Sequence, residues 1–127
     1  MKKNVGACGP YAHIVADFEP PAAGAEGLEL LSVVPRRRLP PEFLPALREG
    51  LEEGLDGVAA AVLITDGTFH EVDSGDLGYV LAGRQAGRAA LIAAGLLPPQ
   101  EAAALRWATW PGRPRLQGVS GGPCSGP

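Results

Sequence analysis

Cysteine, methionine, lysine and aromatic residues are all scarce in this sequence of 127 residues. The two cysteines, Cys8 and Cys124, stand near opposite ends of the chain. They have neither the close spacing of a metal site nor the density of a disulfide framework, so no metal and no cofactor are expected and a reduced, cytoplasmic setting is the default. Lys2 and Lys3 are the only lysines, and 11 basic residues face 14 acidic ones for a net charge of −3. No global field therefore draws the chain to nucleic acid, and any RNA contact has to be local. No apolar run reaches the ~18 residues of a membrane span, and the start lacks the ~7 to 15 residue apolar region of a secretion signal. No G-x-x-x-x-G-K-[ST] stretch occurs. Without that phosphate loop a GTPase is not expected, and with no nucleophile signature either, the chain reads as a non-enzyme.

What is abundant is alanine, with 18 glycines and 13 prolines beside it. Leucine, isoleucine, valine and phenylalanine make up about a quarter of the chain, above the disordered range, so one modest core can form. The length suits a single domain, expected over residues 1–110, with the Gly- and Pro-rich residues 111–127 as a flexible tail.

From Tyr11 to Glu19 the chain alternates, with Ala12, Ile14, Ala16 and Phe18 on one face. That is the pattern of a half-buried strand. A second extended run, Leu28 to Val34, is expected to pair with it as an antiparallel hairpin. Phe43, Leu47, Leu51 and Leu55 recur at intervals of four after Pro41 and predict a helix with one apolar stripe. Val58 to Thr65 predicts a buried strand ending at Asp66-Gly67. A helix is expected from about Gly75 to Ile92, capped by Asp73 or Ser74, with Leu77, Val80, Leu81, Leu91 and Ile92 as its apolar residues. Gly78, Gly83 and Gly87 weaken it by about 1 kcal/mol each, a cost that close packing against a sheet or a neighbouring helix offsets. Gln100 to Trp107 reads as a short helix, with Leu105 to Trp110 as a strand in the alternative.

The run Asp66-Gly67-Thr68-Phe69-His70-Glu71-Val72-Asp73-Ser74 resembles the D-G-S-Y-H-x-V-D-S pattern in the fourth domain of elongation factor G. Tyr11 to Val15 is similar to that family's Q-Y-G-H-V strand. Leu39-Pro40-Pro41-Glu42-Phe43 is similar to its I-P-x-E-Y helix start, and Leu96-Leu97-Pro98-Pro99 to its closing L-L-E-P. The matches are collinear from about Gly9 to Pro99.

The resemblance implies an α/β fold of the α+β two-layer kind, in the order β-β-α-β-α with a left-handed crossover, shared with a small-subunit ribosomal protein. It implies a domain without its GTPase, whose tip contacts tRNA and mRNA on the small ribosomal subunit. The implied contact residues are Gly67, Thr68, Phe69 and His70. The other tip loop, Gly6-Ala7-Cys8-Gly9-Pro10-Tyr11, lacks the arginine and glutamine of the family's G-G-R-G-Q-Y, and the family's glycines before the first helix are replaced by Arg36, Arg37 and Arg38. Three adjacent arginines in an acidic chain are a candidate phosphate contact. His13, facing away from the core, reads as structural. The expected function is a non-catalytic, ribosome-associated translation module, with no membrane and with a GTPase chain or a second copy as further partners. The alternative is a structural or protein-interaction module that kept the fold and lost the ribosome.

Overall fold

Alternation decides the centre of the sheet. In the computed structural model, which describes residues 3–9, 12–21, 27–69, 75–98, 100–101, 105 and 108–110, the strand β2 (Ala12–Glu19) buries Ala12, Ile14, Ala16 and Phe18 against the helices. A second long strand, β4 (Ala60–Phe69), runs antiparallel to it and buries Ala60, Val62 and Ile64 on the same side. β1 (Lys3–Gly9) lies on the other side of β2, and β5 (Ala108–Thr109) adds a short edge beyond it. β3 (Leu28–Ser32) pairs with β4 in parallel, giving the strand order β3-β4-β2-β1-β5.

Two helices cover one face. After a 3-10 turn at Pro41–Phe43, α1 (Leu44–Leu55) buries the expected stripe of Phe43, Leu47, Leu51 and Leu55. Fully burying a leucine is worth about 1.5–3 kcal/mol, so the stripe is the main reason this glycine-containing segment holds its helix. Arg48, Glu49, Glu52 and Glu53 face solvent as their charge requires. α1 ends where Asp56 takes the left-handed conformation at φ 48°, followed by Gly57 at φ 86°.

α2 (Asp76–Ala93) packs on α1 and on β1 and β2. Its inward face holds only part of the apolar set read from the sequence: Leu91 is buried and Val80 and Ile92 pack against the core. Leu77 is 68% exposed, while Tyr79, Ala82, Gly83, Ala86, Gly87, Ala89 and Ala90 are buried. The reason is close approach: a methyl at Gly83 would stand 2.7 Å from the Leu47 carbonyl oxygen, and one at Gly87 would stand 2.9 Å from the Leu55 nitrogen. Gly50 and Gly54 of α1 meet α2 in the same way, so the glycine cost is offset at the helix neighbour. Tyr79 fills the space at the start of the pair, stacked on Phe43 with ring centroids 4.6 Å apart.

The α+β two-layer class holds, and β2, β3, α1, β4 and α2 follow the expected β-β-α-β-α order. Four expectations are corrected. β2 and β3 do not form a hairpin: β4 lies between them because its ten residues offer β2 a longer apolar ladder than the five of β3. The segment read as a tip loop from Gly6 is strand up to Gly9, where Val5 and Ala7, both fully buried, outweigh the weak strand preference of glycine. β4 does not stop at Asp66-Gly67, because Ala12 to Val15 supply ladder partners as far as Phe69. Gly75, in place of the expected Asp73 or Ser74, occupies the cap position of α2, and those two residues lie outside the described ones. Of the segment from Gln100 to Trp107, only Gln100, Glu101 and Leu105 are described, and Ala108–Thr109 is strand. Residues 111–127, read as a tail, lie outside the described residues.

Candidate nucleic-acid interface

The ends of β1 and β4, the start of β2, the turn before α1 and the start of α2 meet at one end of the molecule. A bulge in β4 sets which side chains appear there. Ala16 pairs with Ile64 but Val15 pairs with Asp66, so Thr65 is an extra residue, and its hydroxyl donates to the Val15 carbonyl at 3.3 Å. An unbulged strand would continue the inward set of Val62 and Ile64 with Asp66. The extra residue turns Asp66 to the open face of the sheet and puts Gly67 inward.

Gly67 is buried because something occupies the place of a side chain. A methyl there would stand 3.2 Å from the His13 carbonyl oxygen and 3.4 Å from Cβ of Leu39, which is itself buried. Leu39 ends the arginine turn. Arg38 N–H and Leu39 N–H both donate to the Pro35 carbonyl, at 2.9 and 3.0 Å, so Arg36 and Arg37 occupy the middle of a four-residue turn. Arg36, Arg37 and Arg38 are all exposed. Arg38 reaches across to β4, its Nε and Nη2 each 3.0 Å from Oδ1 of Asp66. The same carboxylate oxygen accepts the Gly67 N–H at 2.8 Å.

Of the residues picked from the sequence, the structure brings together Gly67, the backbone of Thr68 and Phe69, and the three arginines. His70 lies outside the described residues, one position beyond the end of β4. Two neighbours were not picked. Asp66 is 28 residues from Arg38, too far apart for any local pattern to join them. His13, opposite Thr68 in the register, is half-buried, and burial lowers its pKa below 6.5, with the Asp66 carboxylate opposing and the Arg38 guanidinium assisting. It is held toward the neutral ring, which donates one hydrogen bond and accepts another. Among the described residues no group of three or more histidine, cysteine or acidic side chains converges as a metal site. No described helix is long and apolar enough to cross a membrane.

The family model for elongation factor G, domain IV, matches residues 1–95. The chain belongs to the elongation factor G domain IV family. Elongation factor G of Karelsulcia muelleri (strain GWSS) is 33% identical over 91 residues, which are 65% of this chain and 13% of that protein. The domain IV match thus spans a small part of its relative. A solved structure from Thermus thermophilus covers 70% of the chain and is itself covered to 16%, with a TM-score of 0.53 at 22% identity, a likeness of fold. Domain IV of elongation factor G marks this as a translation-related domain.

Proposed function

We propose that this domain IV chain is a non-catalytic module that works in the cytoplasm on the small ribosomal subunit and contacts RNA with the end of its sheet. Gly67, Thr68, Phe69 and His70 form one part of the contact, and the arginine turn forms the other. The observation that carries the reading is the Arg38 to Asp66 contact, which joins the charged turn to the strand leading into His70. In a chain of net charge −3 the exposed Arg36, Arg37 and Arg38 give that end a local positive patch that a phosphate can meet. The remaining partners, tRNA and mRNA, are those the family resemblance implies, and imidazole and guanidinium groups are side chains that stack on bases and donate to phosphates. Co-sedimentation with small subunits at rising salt tests this. Binding that weakens with salt and drops with His70→Ala and with Arg36, Arg37 and Arg38 all changed to Gln supports it. Salt-insensitive binding indifferent to both variants refutes it.

A second reading is favoured by the open sheet face, where Leu31 and Val33 are 68% and 67% exposed. A protein partner or a second copy would cover them. A dimer at low micromolar concentration that is abolished by Leu31→Glu, with no ribosome association, would select that reading.

A further inference from the structure

Three adjacent arginines look like three equivalent charges, but their surroundings differ. Arg36 and Arg37 sit at the two middle positions of the turn, exposed and with no ion pair among the described residues. Arg38 is held by two nitrogens on one oxygen of Asp66. That oxygen is tied by the Gly67 N–H to the backbone of β4, so the carboxylate is fixed to the sheet. The turn is fixed as well, through the two bonds to the Pro35 carbonyl and through Leu39, which is 2% exposed and packed over Gly67. Neither partner needs the other to stay in place. The pair therefore contributes little to holding the turn, and its main consequence is electrostatic: beyond a few ångströms Arg38 and Asp66 cancel.

We propose that Asp66 withholds Arg38 from RNA, leaving Arg36 and Arg37 as the two arginines of the turn that engage phosphate. The inference rests on the reading of this end as an RNA contact, and it makes an acidic side chain the residue that sets how much charge the turn presents. A phosphate facing the turn meets two net positive charges, and removal of one carboxylate raises that to three. Each phosphate neutralised changes the slope of log affinity against log salt by about 0.7 on single-stranded RNA and about 0.9 on a duplex. The division of labour is thus measurable as a number of charges, separately from any loss of folding.

The test is the salt dependence of binding for five variants, measured on small ribosomal subunits and in parallel on a short oligouridine that carries only phosphates and bases. Arg36→Gln and Arg37→Gln are each expected to flatten the slope by about 0.7 to 0.9, and Arg38→Gln, which leaves the Asp66 carboxylate uncompensated, to flatten it as well. Asp66→Asn is expected to steepen it by the same amount, so that lowering salt from about 200 to 50 mM improves its binding about threefold more than it improves the parent's. Arg38→Gln combined with Asp66→Asn returns the parent slope. A gain in Asp66→Asn cannot come from misfolding. The proposal is overturned if Arg38→Gln combined with Asp66→Asn flattens the slope as much as Arg36→Gln, or if Asp66→Asn leaves it unchanged. Oligouridine binding that follows this pattern without subunit binding supports the charge division and refutes the ribosome reading. Subunit binding with all five slopes equal refutes the charge division and leaves the ribosome reading standing. Binding to neither probe at low salt overturns both.

Discussion

Replacing Gly50 by alanine sets two known effects against each other. On helix propensity alone the change stabilises α1 by about 1 kcal/mol, because glycine is the poorest helix former after proline. The structure opposes that gain. An added methyl at Gly50 would overlap the Val80 carbonyl oxygen, lie 2.8 Å from its carbon and 3.0 Å from the Arg84 nitrogen. All three are backbone atoms of α2, so no side-chain rotation relieves the overlap, and the helices have to separate. Overpacking a close contact costs about 1–3 kcal/mol where neighbours give way, and a backbone neighbour places this site at the upper end. Net destabilisation of about 2 kcal/mol is expected. With a urea m-value of about 1–3 kcal/mol/M, the midpoint followed by far-ultraviolet circular dichroism falls by roughly 1 M. Gly87→Ala, whose nearest backbone atom is 2.9 Å away at the Leu55 nitrogen, should lose less. A Gly50→Ala chain as stable as the parent, or more so, would refute the claim that backbone contact between α1 and α2 is why those glycines are there.

Two further outcomes follow from the candidate interface. Burial lowers the pKa of His13 below 6.5 in the folded chain, so the unfolded chain binds more protons as pH falls below that value. Stability should therefore be fully present above pH 6.5 and fall as pH drops toward the folded pKa, and His13→Gln should remove that component of the pH dependence of the urea midpoint. Gly67→Val has to displace either Leu39 or the His13 strand, since a Cβ alone already stands 3.4 Å from the Leu39 Cβ and 3.2 Å from the His13 carbonyl oxygen. We expect a loss of about 1–3 kcal/mol and earlier proteolytic cleavage at the arginine turn, and an unchanged cleavage pattern would count against the anchoring role of Leu39.

The elements that were legible in the sequence are those whose side chains announce a period. Phe43, Leu47, Leu51 and Leu55 mark α1, and the alternation of β2 is clean from Ala12 to Phe18. β1 was not legible because glycines and small residues carry almost no periodic signal, and only burial between β2 and β5 makes it a strand. The inward face of α2 escaped for the same reason. Alanine and glycine are uninformative until a second helix comes close enough to need them, and of the apolar residues read for α2, Leu77 lies on its outer side while Leu91 is buried.

The candidate site divides along similar lines. Composition and motif order by themselves determined the family, the absence of a phosphate loop, and the stretch from Gly67 to His70 as the segment to watch. Those are local properties of the chain and need no fold to be read. Only the tertiary structure decided that Thr65 is a bulge residue, that Asp66 consequently faces outward, and that Arg38 meets it across 28 residues. Register and long-range pairing depend on which strand takes the centre of the sheet, a choice made by the burial of the whole apolar set at once, and no segment carries that information alone.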